Sequence, residues 1–230
     1  MKYKSKYIRI SCDGGAATGK STGAKMVSKK YKLKFLSSGL LYRYASFLLL
    51  KHKPKNKINF LKKKFKELNY SKLDKINLHS PIISKQSSII AKISKIRKIL
   101  KNFQTNFAKV NKSCCIEGRD ISTKILPNSD IKFFFICNLN TAALRRYKEL
   151  KKTNLEIKLK DVKKALRIRN ILDINRKNSP LLRHVDSVSI DTGKLNKQAM
   201  LTKMSKHIDQ VVKKNMATEQ ELKNINPLHK

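Results

Sequence analysis

The chain has 230 residues, 54 of them Lys or Arg and 15 Asp or Glu, for a formal net charge of +39. Hydrophobic residues at 40% and aromatics at 7% exclude a disordered basic tail or a collagen-like polymer, and no run nears the ~18 apolar residues of a membrane span. One basic folded domain of this size points to a polyanionic partner: nucleic acid, an anionic membrane surface or phosphorylated small molecules.

The kind of charge matters more than its total. Ten of the 54 basic residues are Arg and 44 are Lys, while Lys, Ile and Asn together supply 85 of the 230 residues, as an AT-rich coding background would. Against that background Arg should stand mainly where a rigid bidentate fork is needed for phosphate or carboxylate.

In chain order, the N-terminal MKYKSKYIRISCDGG has no apolar leader and no cleavage site, which predicts a cytoplasmic protein. Short β-favouring runs at 7–12, 33–37, 113–117, 131–137 and 187–191 read as buried parallel strands. Helix-length segments alternate with them at 20–30, 40–51, 83–110, 141–150, 155–173 and 194–213. The predicted fold is therefore α/β, a three-layer sandwich on a five-stranded parallel sheet, of the P-loop NTPase type once the glycine-rich G-x-x-x-x-G-K-[ST] run at 14–21 is added. Leu155, Leu159, Val162 and Leu166 give the fifth helix one apolar face, and Pro180 stops the chain after it. Residues 51–75, with ten lysines, two acids and Pro54, read as an excursion from the sheet that forms part of an insertion. The tail beyond residue 212 reads as a frayed end. Cys12, Cys114, Cys115 and Cys137 have neither CxxC spacing nor a nearby His cluster, so they read as buried thiols in strands.

Gly14-Gly15-Ala16-Ala17-Thr18-Gly19-Lys20-Ser21 matches G-x-x-x-x-G-K-[ST] between a predicted strand and a predicted helix. Roughly 0.005 chance matches are expected at this composition. Glycines let backbone N–H groups close on phosphate oxygens, and the helix start adds its positive dipole end. Lys20 should reach the β- and γ-phosphates, with Thr22 closing the ATP-binding run. Ser21 is placed to help hold Mg²⁺, and Asp13 and Glu117, each at a strand end, supply carboxylates for it.

The arginines narrow the acceptor. Ser38 and Arg43 follow strand two, and Arg119 and Asp120 follow strand three, at the sheet edge where ligands bind in such folds. Arg145 and Arg146 open the helix after strand four, while Arg169, Asp173 and Arg176 fall at i, i+4 and i+7 of one helical face. With Arg97, seven of the ten arginines stand where a phosphate or nucleotide could use them.

The succession GGAATGKST, FLSSGLLYR, SKIRKIL, IEGRDIST, ALRRYKEL, RIRNILDINRKNSP and SIDTGKL, from about residue 7 to about residue 210, resembles the bacterial cytidylate kinases. The resemblance implies transfer of the ATP γ-phosphoryl group to CMP or dCMP. It implies a core at about 1–50, 110–147 and 180–214, a monophosphate-binding insertion at about 51–109, an Arg-bearing helical lid at about 148–179 and a tail at about 215–230. It places Ser38, Arg43 and Arg119 on the acceptor phosphate, Ser88, Arg97 and Asp120 on the pyrimidine, and Arg169 and Asp173 near the sugar. Arg176, Arg145 and Arg146 match lid and phosphate-clamping positions, so Lys20, Arg119, Arg146 and Arg176 are the expected catalytic set. Against the family's usual pattern Glu117 replaces Asp, Gly15 replaces Pro, the insertion is short, and His79 stands where Arg is common. The expected partners are ATP and CMP or dCMP, with no specific nucleic acid, no membrane and a monomeric chain. The competing readings are another small-molecule P-loop kinase, shikimate-kinase-like or for a different monophosphate, and an ATP-gated nucleic-acid binder. For the last, neither an aromatic-interleaved basic motif nor a helix-turn-helix is present.

Overall fold

Five strands, β1 (Arg9–Gly14), β2 (Lys34–Ser37), β3 (Cys114–Gly118), β4 (Ile131–Ile136) and β5 (Val188–Asp191), pair entirely in parallel in the order β2-β3-β1-β4-β5. The structure, a computed structural model, describes residues 7–152 and 155–225. The basic start MKYKSK and the last five residues therefore lie outside the described residues. β1 runs two residues beyond its predicted end because Asp13 and Gly14 stay in register with Phe134 and Phe135 of β4.

Each sheet face is covered, as the continuous apolar runs require. On one face α1 (Lys20–Lys30) and α8 (Lys197–Ile225) bury Ala24, Val27, Met204 and Ile208 against Ile10, Cys12, Phe133 and Phe135. On the other, α2 (Ser38–His52) and α5 (Ser94–Val110) bury Leu41, Ala45, Ile96 and Leu100 against Leu36, Cys114 and Ile116. A smaller cluster of Ala16, Ala142, Ala143, Val162 and Leu166 holds α6 (Leu139–Lys151) to α7 (Leu159–Asn175) beside the phosphate loop.

Several predicted boundaries change. The segment 83–110 forms two helices, α4 (Pro81–Ile90) and α5, because Ile93 is extended at φ −86° and ψ 109°. Arg97 Nη1 donates to the Ala91 carbonyl left over at that break, 3.3 Å away. The lysine-rich stretch contains α3 (Lys57–Lys66) and a 3-10 stretch at Tyr70–Lys75; its lysines are largely exposed, yet Leu61, Phe65 and Leu73 sit in the same core as Leu36 and Leu41. Leu155 precedes α7 and is 82% exposed, so the apolar face there begins only with Val162 and Leu166. α8 continues to Ile225, twelve residues past its predicted end at 213, since that run has no Gly or Pro to end a helix.

Cys12, Cys114 and Cys115 are fully buried in β1 and β3, whereas Cys137 stands just past β4 and is partly exposed. Burial pushes the Cys114 thiol up to about 11, so it behaves as a small apolar side chain. Among the described residues no helix is long and apolar enough to cross a membrane.

Candidate active site

The C-terminal edge of the sheet opens into a cleft of about 1450 Å³. A pocket for one drug-sized ligand is roughly 300–1,000 Å³, so this one has room for two nucleotides. Its walls include Gly15 to Thr22, Ser38, Arg43, Ser88, Arg97, Glu117, Arg119, Asp120, Arg146, Arg169, Asp173 and Arg176. Of the predicted site residues only Asp13 and Gly14 are absent from them. Gly14 instead closes β1 against β4, where a Cβ would lie 2.5 Å from the Phe135 carbonyl oxygen.

The phosphate loop is left open at its binding face. Gly19 caps α1 at φ +77° and offers no side chain, so the first N–H groups of the helix face the cleft without a side-chain cap. The loop is braced from behind. Thr192 Oγ1 donates to the Thr18 carbonyl at 2.8 Å, and Arg145 grips Thr192 through Oγ1 at 2.9 Å and the carbonyl at 2.7 Å. From α7, Asn170 Oδ1 accepts the Ala16 N–H at 3.1 Å.

Behind the loop, Lys20 is ion-paired with Glu117, and both are buried. Ser21 Oγ donates to Glu117 Oε1 at 3.0 Å, and Ser37 Oγ donates to the same oxygen. The β2–β3 register, which sets Ser37 opposite Glu117, makes this cluster. Burial alone would raise the Glu117 carboxyl; Lys20 and Ser37 overcome it and bring the pKa down to about 2. Burial pulls Lys20 below its usual value, with Glu117 opposing.

Because the folded pKa of Glu117 lies below its ordinary 4.5, its contribution to stability is complete above that value and is lost as pH falls through about 2. Denaturation midpoints should therefore fall more steeply for the wild type than for Glu117→Gln between about pH 5 and pH 2. Parallel curves for the two proteins would remove this assignment.

Asp13 has another task. Its oxygens accept the N–H groups of Ile121 and Ser122, both at 2.7 Å, and the Ser122 hydroxyl at 2.6 Å. Fully buried and outside the cleft wall, it anchors the π-helical turn Ile121–Ile125. Glu117 is the carboxylate that lines the cleft beside Ser21.

Across the cleft the arginines converge. Arg119 donates through Nη1 to the Gly14 carbonyl at 2.7 Å and through Nε to Asp173 Oδ2 at 2.8 Å. Arg43 reaches the Leu78 carbonyl and His79 Nδ1, both at 3.2 Å, and Arg146 pairs with Glu149 at 2.9 Å. Burial and then the neighbouring cations pull Arg43 and Arg169 down to about 10 each, which marks a site with excess positive charge. Arg145 and Arg146 lie in the second turn of α6 and do not open it.

Deeper in, Arg97 Nη2 and Asp120 Oδ2 are 2.5 Å apart and almost fully buried, with the Arg97 guanidinium 5.7 Å from the centre of the Tyr42 ring. Arg176 approaches the other Asp120 oxygen at 3.7 Å and Asp173 at 3.4 Å. It does so from beyond α7, in extended geometry at φ −68° and ψ 135°, which corrects its predicted place on the helical face. Ser88 lines the same end, its hydroxyl turned to the Ser84 carbonyl at 3.3 Å. Sequence reasoning missed Ser37, Tyr42, Asn170 and the bracing role of Thr192. Only the position of Tyr42, one residue before Arg43, offered a signal.

A five-stranded parallel sheet with a glycine-rich loop, a buried Lys at a helix start and a facing cluster of arginines defines a P-loop phosphotransferase class. The cytidylate kinase family model matches residues 10–210 of the chain. A cytidylate kinase of Mesomycoplasma hyopneumoniae strain 7448 is 33% identical over 216 residues, covering 87% of this chain and 93% of that protein. One of Bartonella tribocorum is 36% identical over 209 residues, covering 89% and 95%. This chain belongs to the cytidylate kinase family. In fold it also resembles an uncharacterized protein from Eubacterium ventriosum, with a TM-score of 0.54 at 17% identity over 89% of this chain and 99% of that one.

Proposed function

We propose that the protein transfers the γ-phosphoryl group of ATP to CMP or dCMP, giving ADP and CDP or dCDP, in pyrimidine nucleotide metabolism. The observation that carries this is a single cleft with the phosphate loop and Lys20 at one end and the Arg97–Asp120–Arg176 group at the other. An oxygen of the acceptor phosphate attacks the γ-phosphorus, the bond to the β–γ bridging oxygen breaks, and ADP leaves with the electron pair. No side chain needs to become covalently attached.

Residues 14–22 hold the ATP phosphates, with Lys20 on the β- and γ-groups. Ser38, Arg43 and Arg119 hold the acceptor phosphate, which the excess positive charge at Arg43 suits. Asp120, Arg97 and Ser88 read the cytosine edge, an N4 donor beside N3 and O2 acceptors. Arg169 and Asp173 lie toward the sugar, and Arg146 and Arg176 neutralise the transferring group. Ser21 Oγ and Glu117 Oε1, two oxygen donors 3.0 Å apart on the cleft wall, suit a hard cation such as Mg²⁺. Mg²⁺ bound there with ATP would neutralise phosphate charge. The cleft lies between a monophosphate-binding insertion at about 51–109 and a lid at about 148–179, whose closure excludes water. The same reading makes the protein a cytoplasmic monomer with no specific nucleic-acid partner.

Purified protein with Mg-ATP and each nucleoside monophosphate, followed through ADP release, should turn over CMP and dCMP well ahead of UMP, AMP, GMP and the no-acceptor control. Equal rates across acceptors would overturn the assignment.

A further inference from the structure

We propose that His79 is a proton-accepting residue of the acceptor-phosphate site, neutral when the site is empty and converted to a cation against the phosphate when the acceptor binds. This rests on the reading that Arg43, Arg119 and their neighbours hold that phosphate.

His79 lies between the 3-10 stretch and α4, where its N–H donates to Asn77 Oδ1 at 3.3 Å and the next residue, Ser80, caps α4. It is on the cleft wall beside Arg43. Arg43 Nη1 and His79 Nδ1 are 3.2 Å apart. A guanidinium is only a donor, so Nδ1 must accept and the ring hydrogen must sit on Nε2.

The charges facing the ring agree. Arg43 approaches from α2, Arg146 and Glu149 from α6 and Lys25 from α1, three cations against one carboxylate. Burial first, and then Arg43 and Arg146, hold His79 below its ordinary 6.5.

A phosphate dianion entering among Arg43, Arg119, Arg146 and Arg169 reverses both conditions. It draws Arg43 away from the ring, which frees the Nδ1 lone pair, and its two negative charges offset the positive local potential that disfavoured the imidazolium. One proton then moves from solvent to Nδ1, and the imidazolium donates to a phosphate oxygen. No bond of the nucleotide changes. An arginine at this position would hold its charge permanently; a histidine ties acceptor binding to pH.

Calorimetric titration of CMP at pH 7.0, in two buffers of different ionisation enthalpy, counts protons exchanged on binding. CMP is then mostly dianionic, the second phosphate pKa being about 6. Wild type should take up a substantial fraction of a proton more than His79→Gln, and His79→Arg should match His79→Gln in that count. The CMP KM of His79→Gln should exceed that of wild type by about fivefold at pH 6.5, as for a partly exposed charged hydrogen bond, and should converge on it by pH 8.5. Equal proton counts in wild type and His79→Gln would mean that His79 only positions Arg43. So would a KM penalty that persists unchanged at pH 8.5. Failure of wild type and both variants to bind CMP while still binding ATP would remove the acceptor-site reading, and this proposal with it.

Discussion

Lys20→Met should lower the turnover of CMP by about 10³-fold or more, since it removes the only side-chain cation of the phosphate loop and Lys20 acts where charge develops in transfer. The same substitution should destabilise the fold. Lys20 and Glu117 side chains are 7% and 4% exposed, so removing the ammonium leaves a buried carboxylate with only the Ser21 and Ser37 hydroxyls. Breaking one side of a buried pair costs about 3–5 kcal/mol at neutral pH. The two effects separate in a second variant. Lys20→Met combined with Glu117→Gln should regain most of the lost stability, because no charge remains buried, yet stay inactive. Denaturant unfolding and steady-state ADP release measure the two quantities. A Lys20→Met enzyme within tenfold of wild type would remove Lys20 from the transfer step, whatever its stability.

What could be read from the sequence was local. The phosphate loop and α1 stand where the motif put them, because one strand, one turn and one helix start contain all the determinants. Helix ends set by tertiary contact were less legible. The break between α4 and α5 has no Gly or Pro; it is held by Ile93 in extended geometry and by Arg97 reaching back to Ala91. Likewise α8 continues because nothing stops it, whereas polarity alone had suggested a loose end. Within the site, Asp13 and Glu117 looked equivalent as acids at strand ends. Register and the following turn distinguish them: Glu117 faces Ser37, Lys20 and the cleft, while Asp13 is consumed by the backbone at Ile121 and Ser122. The Arg97–Asp120 pair joins residues 23 positions apart on different elements. No periodicity encodes that contact, and only the family resemblance had put both residues on one base.

Asp120→Asn tests that contact by changing specificity more than rate. The Asp120 carboxylate sits between Arg97 at 2.5 Å and Arg176 at 3.7 Å, and a carboxylate between two guanidinium donors can only accept hydrogen bonds. Cytosine offers it an N4 amino donor. Uracil would bring a carbonyl oxygen against it, in a pocket where Asp120 is 4% exposed and little water can intervene. An asparagine amide can turn either face outward, so it loses the charge-assisted bond to cytosine and loses the repulsion of uracil. The expected result is a fall of about 10²-fold in kcat/KM for CMP with UMP unchanged or improved, and a collapse of the CMP/UMP ratio by at least that factor. Arg97, 9% exposed, loses its carboxylate partner in the same variant, and a displaced guanidinium would add to the loss. Such a displacement would depress CMP and UMP together and leave their ratio standing. The ratio therefore carries the test: if it survives Asp120→Asn while both rates fall, Asp120 orders Arg97 and something else reads the base.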